Sequence, residues 1–212
     1  QIKQAYRDSV LHKNSGILLN RLFHQAFNTA KKVRTCTGIS QNPLSIAYIA
    51  VELALSKFSG DISNRNALLI GAGEMGELIL KYLTKNNIQD ITIANRSFHN
   101  AEAIVERINK KARIISLGDI AAAAQQVDII ITSVTCHDYL LTYKLIESAT
   151  ARRDGQTLFI IDIAVPRNVD PSVVNLPNVS LYNIDDLKGI ADENLKNRMK
   201  EVECALDIVN AD

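Results

Sequence analysis

The run Asn66-Ala67-Leu68-Leu69-Ile70-Gly71-Ala72-Gly73-Glu74-Met75-Gly76 decides the fold. Residues 66–71 are a short apolar run that reads as a buried strand, and Glu74–Lys85 reads as a helix. The turn between them carries the pattern G-x-G-x-x-G. After a strand and before a helix, that pattern marks a nucleotide-binding turn. Gly71 permits the tight bend. Gly73 lets the backbone approach a pyrophosphate without a Cβ in the way, and Gly76 lets the helix pack closely on the strand. The N–H groups along Gly71, Ala72, Gly73, Glu74, Met75 and Gly76, with the positive helix end, are the expected phosphate seat.

The same alternation continues outward from this turn. Strands are expected at Asp90–Ala94, Arg113–Leu117, Val127–Thr132, Leu158–Ala164 and Val179–Ile184. Helices are expected at Asn100–Lys110 and near Asp119–Gln126. Short apolar strands separated by helices imply βαβ units and a parallel sheet. Six of them predict an α/β fold with a doubly wound parallel sheet of the Rossmann, NAD(P)-binding type. Residues 1–60 read as helical throughout, with an apolar stripe through Leu18, Leu22, Phe23, Phe27 and Ala30. Gly38 reads as a stop, Asn42-Pro43 as a cap and first helical position, and the apolar segment Leu44–Phe58 then runs to Gly60. Residues 185–212 are again helical, starting at an Asp185-Asp186 cap, and reach the last residue without a C-cap. We therefore divide the chain into a helical part (1–60), a nucleotide-binding domain (61–184) and the start of a further helical part (185–212).

Cofactor choice is read after the second strand. An NAD-type site carries an acid there, about 20 residues beyond the glycines, for the ribose 2′-hydroxyl. This chain has Asn95-Arg96-Ser97 instead. A 2′-phosphate is repelled by a carboxylate and welcomed by a guanidinium beside short hydrogen-bond donors. The expected cofactor is therefore NADPH. Arg96 is expected at the adenine and phosphate, with Asn95 and Ser97 donating hydrogen bonds. Ligands of open parallel sheets sit beyond the C-terminal ends of the strands. Ser133 and Thr135 are thus expected near the nicotinamide ribose or diphosphate. Asp162, at the end of the fifth strand, either orients a polar group or caps its loop. The His137-Asp138 pair reads as surface loop.

Composition narrows the classes. The chain has 212 residues, 47% hydrophobic and 22% charged, which excludes wholesale disorder. No apolar run approaches the roughly 18–20 residues that cross a bilayer. It opens on Gln1, with no charged-then-apolar leader, so we expect a piece of a longer protein. Cys36, Cys136 and Cys204 have neither metal nor disulfide spacing, which suits a reducing, cytoplasmic setting. Cys136 stands out because His137 follows it. No Ser-His-Asp set, zinc spacing or paired-carboxylate motif is present, and no metal is expected. Charge is uneven: residues 1–60 hold eight Lys/Arg and two acids, the remainder 16 basic and 21 acidic residues. The basic part suits either a polyanion such as RNA or a solvated helical face.

Several runs together resemble glutamyl-tRNA reductases. They are Arg21-Leu22-Phe23 through Ala30-Lys31-Lys32-Val33-Arg34-Thr35, the glycine turn, Ala94-Asn95-Arg96-Ser97, Asp162-Ile163-Ala164-Val165-Pro166-Arg167 and Tyr182-Asn183-Ile184-Asp185-Asp186-Leu187. The resemblance covers essentially the whole chain in order. It implies an NADPH-dependent enzyme of tetrapyrrole (porphyrin) synthesis that reduces glutamyl-tRNA to glutamate-1-semialdehyde. In that family a cysteine thiolate attacks the aminoacyl ester and the resulting thioester is reduced. The family's cysteine lies in an N-terminal domain that precedes Gln1, and Cys36, Cys136 and Cys204 do not match it, so no catalytic residue is expected in this chain. Gln1 matches a glutamine attributed to substrate binding. The resemblance further implies a homodimer built through a helical domain starting near Asp185, and glutamate-1-semialdehyde aminomutase as a partner. It also gives Arg21, Lys31, Lys32 and Arg34 a possible place near tRNA phosphates. Alternatives are a shikimate-dehydrogenase-like NADP oxidoreductase, whose substrate-domain Lys/Asp pair is not found, and a non-catalytic NADP-binding module.

Overall fold

The computed structural model of the chain describes residues 2–36, 45–109, 111–151, 153 and 155–211. Gln1, the expected stop at Gly38, the Asn42-Pro43 cap and the side chain of Cys204 lie outside what is described. The chain divides into two compact units, Gln1–Pro43 with Asp192–Asp212, and Leu44–Ala191.

The larger unit is the expected sheet. Its strands are β1 (Asn66–Ile70), β2 (Asp90–Ala94), β3 (Arg113–Ile115), β4 (Ile129–Thr132), β5 (Leu158–Asp162) and β6 (Val179–Asn183). They are all parallel, in the order β3-β2-β1-β4-β5-β6. The order reverses between β1 and β4, which opens a crevice beyond their C-terminal ends. The strands alternate their side chains between two cores, as a period of two dictates. Leu69, Ile131 and Ile161 face one side; Leu68, Ile70, Ile130 and Ile160 face the other.

Helices close both faces. On the first lie α3 (Ile46–Lys57), α4 (Glu74–Lys85) and α5 (Phe98–Ile108), through Ile49, Val51, Ile79, Leu80, Leu83 and Ile104. On the second lie the short α6 (Ile120–Ala124) and α7 (Tyr143–Thr150), through Ile120, Ile146 and Ala149. Two of these placements add to the sequence reading. The apolar segment at 44–58 was grouped with the preceding helices, whereas α3 packs in the sheet unit, with Phe58 against Phe159 at 6.3 Å between ring centroids. The helix α7 was not foreseen. It buries only Ile146 and Ala149, too few apolar positions to show a period, and Thr142 caps it.

A polar hub fastens the opposite end of the sheet. The Asp128 carboxylate pairs with Arg153 at 3.2 Å and accepts the Asn66 N–H at 3.1 Å. Arg153 also donates to the carbonyl of Val127.

The last helix, α8 (Ile184–Ala211), starts one residue before the expected cap. Asn183, not Asp185-Asp186, is the cap: its Oδ1 accepts the N–H groups of Asp185 at 2.8 Å and Asp186 at 3.3 Å. Asp186 Oδ2 accepts the Asn183 N–H in return at 2.8 Å, completing a reciprocal capping box. Leu187 and Ile190 near its start join the first core.

The smaller unit contains α1 (Ile2–Leu11) and α2 (Ile17–Cys36). Tyr6 lies against Phe23 and Phe27, with centroids 4.9 and 5.6 Å away, and its hydroxyl donates to Asn20. Neither helix has a buried residue. No helix among the described residues is long and apolar enough to cross a membrane.

Candidate functional site

At the reversal point the glycine turn does three separate jobs. Gly71 has φ +113°, a conformation that L side chains rarely adopt, and a Cβ there would lie 2.8 Å from both Ser133 Oγ and Val134 Cγ1. A Cβ on Gly76 would lie 2.2 Å from the carbonyl oxygen of Gly71, so the turn folds down onto the first coil of α4. Gly73 is the opposite case: nothing lies within 4 Å of a Cβ built there. It is the N-cap of α4, and no side chain caps the helix. The first-turn N–H groups of an α-helix have no partner within the helix. An open, uncapped helix start beside a residue without Cβ fits a phosphate group.

The acids of that first turn are handled differently. Glu74 is exposed. Glu77 is hydrogen-bonded to Lys81 at 2.7 Å and paired with Arg107 at 3.0 Å, and these cations hold its carboxyl below the usual range. That keeps its charge neutralised on the side of the helix.

A cavity of about 420 Å³ opens in front of the turn. Of the expected residues, Gly71, Ala72, Gly73, Asn95, Arg96, Ser97, Ser133 and Thr135 line it. Glu74, Met75 and Gly76, expected at the same seat, are not among the residues that line it. Among the described residues its wall includes no acid, and Arg96 is exposed. Asn95 is less free than the sequence implied. Its Oδ1 accepts the Ala72 N–H at 3.2 Å and its Nδ2 donates to the Ser97 carbonyl at 2.9 Å, so it braces β2 against the glycine turn. Ser97 Oγ caps α5 by accepting the Asn100 N–H at 3.3 Å, which leaves its own hydroxyl proton to donate.

Residues that sequence reasoning did not place here include Asn100, Leu117, Val134 and Leu140. Val134 and Leu140 come from the loop after β4, whose direction no periodicity reveals, Asn100 from the first turn of α5 and Leu117 from a short 3-10 turn after β3. Cys136 also lines the cavity, while His137 and Asp138 are exposed.

Asp162 takes the second of its two readings. It is buried at 1% exposure and accepts the N–H groups of Ala164, Asn168 and Val169 at 3.1, 2.9 and 3.0 Å. It thus holds the loop after β5 rather than facing a ligand. Burial pushes its carboxyl above the usual range, against the pull of those N–H groups and Arg167. Asn168, fully buried, accepts from Thr132 Oγ1 at 2.7 Å and, through its carbonyl, from the Leu140 and Leu141 N–H groups. The loops after β4 and β5 are therefore tied to each other. Among the described residues no cluster of three or more His, Cys, Asp or Glu is arranged for a metal.

Comparison with known proteins follows the same division. The family model of shikimate / quinate 5-dehydrogenase matches residues 52–190, and that of the glutamyl-tRNAGlu reductase N-terminal domain matches residues 1–37. The glutamyl-tRNA reductase of Syntrophus aciditrophicus (strain SB) is 44% identical over 99% of this chain and 49% of its own length. The solved glutamyl-tRNA reductase from Methanopyrus kandleri superposes with a TM-score of 0.88 at 29% identity, over 100% of this chain and 52% of that one. A shikimate dehydrogenase in complex with NADP+ shares the fold, with a TM-score of 0.52 and 18% identity over 78% of this chain and 61% of that one. The chain spans about half the length of the curated relatives it matches.

Proposed function

The chain belongs to the glutamyl-tRNA reductase family and, over residues 52–190, to the shikimate / quinate 5-dehydrogenase family; on that premise we propose that it is the NADPH-binding core of an enzyme reducing glutamyl-tRNA to glutamate-1-semialdehyde. Such an enzyme serves tetrapyrrole synthesis in the cytoplasm. The observation that carries the cofactor half is the uncapped start of α4 at Gly73, open to a cavity that holds Arg96 and, among the described residues, no acid. When bound, the cofactor supplies the hydride that reduces the acyl group.

The chain's own residues bind and orient. The first-turn amides of α4 hold the diphosphate, and Arg96 with the Ser97 hydroxyl holds the 2′-phosphate. Asn95 sets the distance between those two seats. Ser133 and Thr135 meet the far ribose, beside loops held rigid by Asp162 and Asn168. The nucleophilic cysteine of the thioester route is assigned to no residue here, and Gln1 is the one proposed substrate contact. Residues 1–43 would close a catalytic domain, and the helix from Asn183 onward would begin a dimerisation domain of a homodimer that hands its product to glutamate-1-semialdehyde aminomutase.

Residues 1–37 favour this reading over a shikimate-type dehydrogenase. Their match is independent of the cofactor domain that both families share. The test is a titration of the protein with NADPH and NADH, followed by assay of the intact protein for NADPH-dependent reduction of glutamyl-tRNA. NADPH preference and turnover are expected. NADH preference, or turnover of a hydroxy acid such as shikimate instead, refutes the proposal.

A further inference from the structure

The loop after β4, residues 133–139, gives Ser133, Val134, Thr135 and Cys136 to the cavity wall, and Leu140 just beyond it lines the same cavity. The sheet fixes the near end of this loop. Thr132 stands in register with Ile70 and Asp162, and the Ser133 N–H donates to the Ile70 carbonyl at 2.9 Å. The far end, before α7 begins, is held from the loop after β5. There the N–H groups of Leu140 and Leu141 both donate to the Asn168 carbonyl, at 2.8 and 3.0 Å. The Leu141 carbonyl accepts the Asp170 N–H at 3.0 Å.

Asn168 is itself held at two points. Its N–H donates to Asp162 Oδ2 at 2.9 Å, and its Oδ1 accepts from Thr132 Oγ1 at 2.7 Å. Thr132 immediately precedes the wall loop, and the residues that Asn168 holds through its carbonyl immediately follow it. One residue thus relates both ends of the wall. Thr132 and Asn168 are both fully buried, so the tie is shielded from water.

Packing alone does not call for an amide here. Asn168 Nδ2 is buried and has no hydrogen-bond partner among the described residues. A buried donor without a partner destabilises a fold, whereas an apolar pair of similar shape in place of two hydrogen-bonded partners is close to neutral. What the amide supplies is direction, since its Oδ1 fixes the 168 backbone relative to the end of β4.

From this geometry we infer that Asn168, tied to Thr132, is a positioning residue for the nicotinamide half of the cofactor. It acts through Leu140 and the wall loop. The inference deepens the proposed function and rests on it for the identity of the ligand. The adenosine end is independent of the tie: Asn95, Arg96 and Ser97 follow β2, on the other side of β1 from β4.

The experiment uses the intact protein carrying T132V/N168L, T132V or T132S. Melting is measured, with calorimetric affinities for NADPH and for adenosine 2′,5′-bisphosphate, which carries the adenosine end alone. T132V/N168L is expected to melt within about 3 °C of the parent. In it and in T132V, NADPH binding weakens roughly 2- to 30-fold, the usual range for residues that act through others. Binding of the bisphosphate stays within about twofold. Fluorescence of the bound reduced nicotinamide moves toward that of free NADPH. T132S keeps the hydroxyl and retains the parent's ratio of the two affinities. A folded T132V/N168L with the parent's ratio overturns the inference; should that variant fail to fold, the ratio in T132V decides in the same way. Equal losses of both ligands in T132V, or T132S losing as much as T132V, overturn it too. A parent that binds NADPH no better than the bisphosphate refutes the inference and leaves the cofactor reading standing. A parent that binds neither refutes the cofactor reading, and the inference falls with it.

Discussion

The side-chain oxygen of Asn95 accepts the backbone N–H of Ala72 at 3.2 Å across 23 residues of sequence, joining the tip of β2 to the glycine turn. The residue that we propose beside the adenosine ribose therefore also braces the turn proposed to seat the phosphates. Asn95→Asp preserves the acceptor for Ala72, loses the donor to the Ser97 carbonyl and adds a negative charge beside the proposed 2′-phosphate seat. NADPH affinity should fall at least about tenfold and the preference should move toward NADH, whose 2′-hydroxyl the new carboxylate can accept from. Competitive titration of N95D with both cofactors checks this; an unchanged NADPH preference would place the 2′-phosphate elsewhere.

Arg96 gives the complementary test. Among the described residues of the cavity wall it is the cation, and no acid accompanies it there. Hydrogen bonds to charged groups contribute about 1.5–3 kcal/mol, so Arg96→Gln should weaken NADPH binding roughly 10- to 100-fold. NADH binding should change little. Equal losses for both cofactors would mean that Arg96 stacks on the adenine without meeting the phosphate.

These sites were readable from sequence to different depths. The strands β1 and β2 and the helix α4 appear at or within one residue of their expected bounds. Strands buried on both faces leave an unbroken apolar run, and such a run is legible on its own. The helix α3 was legible as a helix but not as part of the sheet unit, because an apolar segment does not say which neighbour buries it. The brace from Asn95 to Ala72 and the loop-holding role of Asp162 were not legible. Each depends on a backbone N–H brought close by a turn, and backbone donors leave no mark in the residue types. The cap at Asn183 was masked by the two aspartates after it, which look like better caps until the helix start is known.

The glycines should separate folding from binding. Gly76→Ala puts a Cβ 2.2 Å from the Gly71 carbonyl, which must move. Overpacking of this kind costs about 1–3 kcal/mol, or roughly 2–10 °C in Tm for a chain of this size. Gly73→Ala meets nothing within 4 Å and has φ −91°, which alanine adopts freely. Its melting temperature should stay within about 2 °C of the parent, yet its Cβ occupies the phosphate approach and NADPH binding should weaken at least tenfold. Calorimetric melting and cofactor titration of the two variants read both effects. A destabilised but binding G73A would reverse the assignment of the two glycines.

Asp162 carries the pH-dependent prediction. Its carboxylate serves three loop N–H groups while burial penalises its charge, and burial prevails. A folded-state pKa raised above the unfolded value means that the native protein binds this proton more readily. The group then adds stability as pH falls through its folded pKa toward the ordinary carboxylate range, and withdraws it as pH rises. Asp61, Glu77 and Asp170 are held below the usual range and lose stability on acidification, so the total trend hides Asp162. A difference measurement isolates it. Asp162→Asn leaves one acceptor oxygen for three donors and should cost about 1–3 kcal/mol at neutral pH. The melting difference between parent and D162N should then widen as the buffer is taken from pH 7 toward pH ~4.5, since only the parent gains a favourable proton. A difference that narrows on acidification would show the N–H groups prevailing over burial, with the Asp162 carboxyl held low instead.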